Sequence, residues 1–248
     1  DTTGRWSKWS APVQFVPAPS GDLHDLIAGI ALTEIMYNPP NQGTTDGDSF
    51  EFLELKNVGA TVLDLSGLAF TSGITFTFTN GTTLAPGQFF VLGRNLAALQ
   101  SKYPGLVVKG IYTGKLSNGG ETLTLTHPYG TEILSVDYSI QAPWPVAPHG
   151  FGFSLVLDEA NPGHFRASAL AGGSPGADDP SPNFPGVLIS EIMTHPSLLD
   201  RDAIELFNPG PTNANLSGWF LTDDAGYPWK YRIADGTLLP AGCYLVVD

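Results

Sequence analysis

The sequence predicts an all-β chain built as a sandwich or barrel. The chain has 29 Gly and 21 Pro among 248 residues, and both residue types favour turns over helix interiors. Between residues 29 and 177, short apolar runs alternate with turn signals such as Asn80-Gly81 and Ala85-Pro86-Gly87. Strands separated by turns at a spacing of roughly 8–12 residues are typical of sandwiches and barrels.

The second observation is that the chain carries one module twice. Four sequence blocks return in the same order: Leu32–Met36 as Ile189–Met193, Phe52–Gly59 as Ala203–Gly210, Leu65–Gly67 as Leu216–Gly218, and Asn80–Val91 as Asp235–Val246. The second copy lacks the closing strands of the first. A repeated module favours a string of structural units over an enzyme with one pocket.

The repeat and the proline-rich stretches divide the chain into parts. The predicted parts are residues 1–28, a terminal strand and linker; 29–177, a complete sandwich; 178–186, a Pro-rich linker; and 187–248, a partial sandwich. In the first part, Trp9, Val13 and Phe15 alternate with other residues at the period of a strand. One segment, Asn95–Lys102, predicts a short helix capped by Asn95.

Composition excludes several functional classes. A net charge of -13 disfavours binding to nucleic acid or anionic lipid. The longest apolar run, Leu26–Leu32, is shorter than the roughly 20 residues of a membrane helix, so we expect no membrane insertion. The single cysteine, Cys243, excludes an internal disulfide. Because the chain opens at Asp1, we expect a mature or excised piece of a longer protein.

The repeated blocks resemble the lamin tail domain in the form found in large bacterial secreted and surface proteins. The resemblance rests on Leu32–Met36, Phe52–Asn57, Leu65–Gly67, Leu84–Gln88, Ser117–Glu121 and Gly173–Ala177. It implies immunoglobulin-like β-sandwiches in tandem, the second incomplete. It also implies a non-catalytic adhesive, scaffolding or anchoring role outside the cell. Residues 6–13 resemble the last strand of a fibronectin type III module.

Carboxylates recur at matching positions of the two copies. Glu34 and Glu191 lie among apolar residues of a predicted strand, on the face of Leu32 and Met36 in the first copy. A carboxylate there must be hydrogen-bonded or bound to a cation. We expect it to accept backbone N–H bonds near the strand end, with a cation site as the alternative. Glu54, which recurs as Glu205, is expected to be an outer-face charge with a cross-strand partner.

Acidic loops supply the candidate metal ligands, and calcium is the one cofactor considered. Asp46 and Asp48 stand at alternate positions with Glu51 nearby, and they could provide some of the roughly six to eight oxygens that Ca²⁺ requires. The alternative is a solvated loop, since the last glutamate of an EF-hand is missing. The sequence contains no nucleophile elbow, zinc motif or phosphate loop.

One aromatic residue is a candidate for ligand stacking. Trp144 stands between two prolines in Ala142–Pro145. Held in this way, the indole could stack on a sugar or cover the core of the sandwich, and covering the core is the favoured interpretation.

These observations predict a structural or adhesive unit of a bacterial extracellular or cell-surface protein. A half sandwich exposes apolar surface and strand edges, so the expected partners are other copies or neighbouring modules. Insertion of the strand with Trp9, Val13 and Phe15 into the next subunit would build a filament. The rival function is a carbohydrate-binding accessory module of a secreted hydrolase. A hydrolytic site in the acidic loops is disfavoured, because those loops differ between the copies.

Overall fold

The computed structural model describes residues 20–161, 163–182, 185–194, 202–224, 227 and 229–248. The predicted donor strand with Trp9, Val13 and Phe15, and the fibronectin-like stretch, lie outside the described residues. The described chain consists mainly of strands, which confirms the all-β class.

The first module contains two short helices, one 3-10 turn and twelve strands. They are α1 Ser20–Gly29, β1 Ile30–Met36, the 3-10 turn Gly47–Phe50, β2 Phe52–Asn57, β3 Leu63–Asp64, β4 Ala69–Ser72, β5 Phe76–Thr77, β6 Thr83–Leu84, β7 Phe89–Gly93, α2 Leu96–Lys102, β8 Val108–Ile111, β9 Gly120–Thr126, β10 Glu132–Ser139, β11 Leu155–Leu157 and β12 Phe165–Ala167.

The second module repeats the early strands of the first. They are β13 Leu188–Met193, β14 Ala203–Phe207, β15 Ala214–Asn215, β16 Phe220–Leu221, β17 Tyr231–Arg232, β18 Leu238–Leu239 and β19 Tyr244–Val247.

Two sheets enclose the core of the first module. One has the strand order β12-β11-β1-β2-β7-β8 and the other β10-β9-β4-β5. Buried side chains of both sheets share one apolar cluster, including Ile35 and Leu53 from the first sheet and Phe70 and Leu125 from the second. Burial of facing apolar surfaces between two sheets stabilises a sandwich.

A β-bulge at Thr33 decides which way Glu34 points. Leu32 pairs with Leu55 and Glu34 pairs with Glu54, so one extra residue lies between them on β1. The prediction that Glu34 shares a face with Leu32 is therefore wrong, because a bulge reverses the alternation of side chains. Leu32 and Ile35 face the core, and Glu34 lies on the outer face.

The outer face of the larger sheet is also covered. Met36, Phe52 and Val91 form a second buried cluster with Leu99 of α2, a helix that lies in the crossover between the parallel strands β7 and β8. Asn95 caps this helix, since its side chain accepts a hydrogen bond from the Ala98 N–H at 3.1 Å. The short helix predicted at this position is confirmed.

A further helix lies where the sequence predicted a linker. Residues 20–28 belong to α1, and Leu26 of this helix is buried in the main core. The helix packs against β3 and β10, and burial of Leu26 stabilises it there.

The second module forms an open sheet over a small core. Its main sheet has the order β13-β14-β19, and the core comprises Leu206, Ala214, Leu216, Ile233 and Leu239. The bulge recurs between Ile189 and Glu191. Phe151 of the first module contacts Phe220 of the second edge to face, with ring centroids 4.6 Å apart. In the described part of the chain, no helix is both long enough and apolar enough to cross a membrane.

Candidate functional site

Two carboxyl groups lie next to each other on the outer face of the larger sheet. Glu34 on β1 is the register partner of Glu54 on β2, and each residue is only 1% exposed. Two like-charged groups removed from water are costly unless protons or hydrogen bonds compensate for them.

Main-chain and hydroxyl donors surround both carboxyl groups. The Ser154 hydroxyl donates to Glu34 at 2.5 Å and the Ser174 N–H at 3.0 Å. The Thr33 hydroxyl donates to Glu54 at 2.8 Å, and the Gly176 N–H at 2.5 Å. The segment 173–176 therefore acts as a cap over the pair, and we call residues 173–176 the capping loop.

The sequence of the capping loop follows from this geometry. Gly173 has φ +78, and a Cβ there would lie 2.0 Å from Glu34 Oε1. Glycine is required because it alone tolerates both the left-handed backbone and the close carboxyl oxygen. The Gly173–Ala177 block of the sequence is thus explained by the carboxyl pair, a link that the sequence did not reveal.

Burial changes the protonation of the pair. It raises the pKa of Glu34 to about 7 and that of Glu54 to about 8, against the opposing effect of the hydrogen bonds. The charge of Glu34 contributes to the raised pKa of Glu54. Glu54 lies on the outer face and has the expected cross-strand partners in Thr33 and Glu34, but it is buried rather than an exposed charge, because Gly176 of the capping loop covers it.

The predicted calcium ligands have other partners. Asp46 caps the 3-10 turn by accepting from the Asp48 N–H at 3.0 Å. Asp48 pairs with Arg94 at 3.0 Å and Lys115 at 3.4 Å, and although partial burial opposes them, these cations hold the pKa of Asp48 below its usual value.

Glu51 differs from the other two acidic residues because it is fully buried. It is 0% exposed and accepts from the Tyr112 hydroxyl and the Leu116 N–H, each at 3.0 Å. Burial raises the pKa of Glu51 to about 7. Within the described residues, no group of three or more His, Cys, Asp or Glu side chains could hold a metal ion. The structure therefore does not assemble Asp46, Asp48 and Glu51 into a calcium site.

Trp144 lies against the sandwich. Its partly buried indole packs on the main core and stacks on Phe165, with ring centroids 5.6 Å apart. In this position one face of the ring is occupied by protein, which suits a covering role.

The second module contains an open version of the carboxyl pair. Glu191 is again the register partner of Glu205, and the Ser190 hydroxyl donates to Glu205 at 2.8 Å, as Thr33 does to Glu54. Glu191, however, is exposed, and β13 is an edge strand of its sheet in the described part of the chain.

A comparison with protein families agrees with this architecture. The family model of the Lamin Tail Domain matches residues 27–139 and 180–248. A solved structure of a DUF4876 family protein from Bacteroides thetaiotaomicron VPI-5482 is similar, with 12% sequence identity and a TM-score of 0.40, covering 62% of this chain and 72% of that chain. No curated protein matches. Since the family model spans most of the chain and both copies of the repeat, the chain belongs to the lamin tail domain family, whose immunoglobulin-like members are generally non-catalytic.

Proposed function

We propose that the chain is a non-catalytic structural and adhesive unit of a bacterial secreted or cell-surface protein, and that its second module accepts a strand from a neighbouring subunit. The observation that carries the proposal is the open sheet β13-β14-β19. Its edge strand exposes Leu188, Ile189 and Ile192 by 54%, 56% and 61%. An apolar strand with a free edge favours pairing with another chain.

The buried carboxyl pair argues for a structural rather than a catalytic role. Each oxygen of Glu34 and Glu54 already accepts a hydrogen bond from protein. The cavity beside the pair has a volume of about 90 Å³, whereas small-molecule sites usually measure roughly 300–1,000 Å³. A substrate would therefore have to displace the capping loop before it reached either carboxyl group.

Strand exchange between subunits would give an extended assembly. The candidate donor is the segment with Trp9, Val13 and Phe15, which the sequence predicts to form a strand. A donor at one end and an acceptor at the other make a head-to-tail contact, and such contacts produce a filament when they do not close into a ring.

The test is the solution mass of the chain and of a variant without residues 1–19, by light scattering after size exclusion. Species much larger than the 26.3 kDa monomer that disappear in the shortened variant would support strand exchange. Assembly that survives the deletion would exclude this donor, and a monomer at every concentration would exclude self-assembly. The same measurement in the presence of a chelator shows whether assembly needs a divalent cation.

A carbohydrate-binding role is the second candidate, and one pocket favours it. A pocket of about 710 Å³ between the modules is lined by Pro143, Phe165, Trp219 and Phe220 among others, and aromatic rings are suitable stacking surfaces for sugars. Calorimetric titration with soluble glycans tests this role. Binding that Phe220→Ala abolishes would support this pocket, binding that only Trp144→Ala abolishes would support the Trp144 loop instead, and absence of binding to every glycan tested would reject the role.

A further inference from the structure

An ion pair joins strand β2 to the segment that leaves the first module. Lys56 lies near the end of β2, and its ammonium group contacts Asp178 Oδ1. Asp178 opens the linker 178–186 and is 122 residues further along the chain. The Lys56 side chain is only 16% exposed and lies over the Phe89 ring, 5.0 Å from its centroid. The amine is therefore held in place with little access to water.

A hydrogen bond of Glu54 sets the register of this contact. Glu54 and Lys56 are two residues apart on β2, and Gly176 and Asp178 are two residues apart in the segment beside it. The Gly176 N–H donates to Glu54, so the next outward-facing residue of β2 meets the side chain of Asp178. A buried carboxyl group thus positions the amine against the carboxylate.

A small cavity borders all three groups. Its volume is about 90 Å³, and its lining includes Glu54, Lys56 and Asp178, which leaves room for water but not for a small-molecule ligand. Burial raises the pKa of Glu54 to about 8, and the charge of Asp178 contributes to this rise. At neutral pH a protonated acid therefore lies beside an amine and a carboxylate.

Comparison of the two copies shows that the strand does not need a lysine at this position. The second copy has Glu205 where the first has Glu54, but it has Phe207 in place of Lys56. Its strand β14 pairs with two neighbours as β2 does. The amine of the first copy is therefore an addition to the strand rather than a requirement of its fold.

We propose that Lys56 and Asp178 form an intramolecular amide bond and that Glu54 transfers the protons. A proton passes from the ammonium group to the carboxylate, and the neutral nitrogen then bonds to the carboxyl carbon of Asp178. As the bond from this carbon to its hydroxyl group breaks, Glu54 donates a proton to the hydroxyl and takes one from the nitrogen. The ion pair becomes an amide and one water molecule, Glu54 is restored, and nothing is oxidised or reduced. Asp178 is 63% exposed, which gives the water a path to solvent.

Fixed proximity makes this reaction feasible inside the folded chain. Free ammonium and carboxylate ions do not condense in water, but groups held in contact react with effective molarities of about 10⁵–10⁸ M. A neighbouring acid that transfers protons contributes a further factor of about 10²–10⁴. Lysine is a suitable nucleophile once it has lost its proton.

The bond gives the first module a covalent clasp. It connects β2, at the centre of the larger sheet, to the linker that leads to the second module. Tension on the linker would load β2 directly instead of first pulling away the capping loop, β12 and β11. This property goes beyond the proposed function and does not depend on assembly, because the bond forms within one chain.

The test is the mass of the intact full chain, measured under denaturing conditions. We expect a mass lower than that of the sequence by one water molecule, and a branched tryptic peptide that joins Lys56 to Asp178. Lys56→Arg should have its full mass, because the guanidinium group keeps the charge but does not lose its proton. Lys230 and Asp223, an exposed ion pair at 2.6 Å, are the control within the same chain and should remain unlinked.

The role of Glu54 is tested by the rate at which the bond forms. The fraction of chains that have lost water is followed after cell-free synthesis at neutral pH. Glu54→Gln keeps a neutral hydrogen-bonding side chain but cannot transfer protons, so we expect bond formation to be slower by about 100-fold or more. Circular dichroism shows whether this variant keeps its fold.

A natural chain that has the full mass of its sequence would overturn the proposal and leave Lys56 and Asp178 as an ordinary ion pair. Loss of water that persists in Lys56→Arg, or that maps to other residues, would overturn it as well. Equal rates for the natural chain and a folded Glu54→Gln variant would overturn the role of Glu54. Light scattering tests strand exchange separately, so failure of one proposal is distinguishable from failure of the other.

Discussion

Neutralising Glu54 should remove the part of the pH dependence of the first module's stability that Glu54 contributes. Glu34 and Glu54 both have a raised pKa in the folded chain, about 7 and about 8 against an ordinary value of 4.5. The folded state therefore binds protons more tightly than the unfolded state does. The stabilising contribution is complete below pH 4.5 and is lost as the pH rises through 7 and 8.

The magnitude follows from the size of the pKa shifts. The shift of Glu34 corresponds to about 3 kcal/mol, since one pKa unit is about 1.4 kcal/mol. Glu54 has the larger shift, but part of it comes from the charge of Glu34, so the two contributions do not simply add. For a module of this size, a loss of about 3 kcal/mol lowers the Tm by roughly 6–12 °C.

Scanning calorimetry at about pH 4 and about pH 8.5, on either side of the unfolded and folded pKa values, measures this effect. We expect the Tm of the natural chain to be lower at the higher pH. We expect the Tm of Glu54→Gln to fall less, because position 54 no longer titrates, while Glu34 and Glu51 keep their raised pKa values. Glu132→Gln is the control, since that side chain is exposed. If the Tm of the first module is the same at the two pH values, the raised pKa values of the carboxyl pair are refuted. The same holds if Glu132→Gln reduces the pH dependence of the Tm as much as Glu54→Gln does.

Three further substitutions test the packing around the site. Gly173→Ala should destabilise the first module by about 2–4 kcal/mol in denaturant unfolding, because its Cβ would meet Glu34 Oε1 at 2.0 Å. Asn57→Ala should cost about 2 kcal/mol, since two carbonyl groups lose their donor, and an effect below about 0.5 kcal/mol would contradict this. Leu99→Ala should cost about 2–5 kcal/mol by opening a cavity under α2, whereas Leu96→Ala, at a 42% exposed position, should change little.

Local patterns in the sequence predicted the strands, the turns and the short helix. These features depend on neighbouring residues, such as Asn95 at the start of α2. The bulge at Thr33 was not predicted, because strict alternation of apolar residues is assumed when a strand is identified from sequence. The burial of Glu54 could not be predicted either, since Gly176, which covers it, is far away in the sequence and lies in a loop.

Contacts between residues far apart in sequence also determine the surroundings of the candidate calcium site. Asp46, Asp48 and Glu51 are close in sequence, and this proximity suggested a shared ion. Their partners are instead supplied by Arg94 and Lys115 and by a tyrosine from other parts of the chain. Arg94 and Lys115 pair with Asp48, and Arg94 also lies 3.6 Å from Glu51; these contacts between distant parts of the chain cannot be read from the spacing of the acidic residues.

The two copies separate what the strands provide from what the closing segment provides. Both copies have the bulge and the hydroxyl–carboxyl hydrogen bond on β1 or β13, so these features arise from the early strands alone. Burial of the carboxyl groups occurs in the first copy, where β11 and the capping loop are docked. A hydrogen bond between exposed groups stabilises little, because water competes for both partners. Burial of Glu34 and Glu54 therefore depends on β11 and the capping loop, whereas the bulge and the register of the two carboxyl groups depend on the early strands.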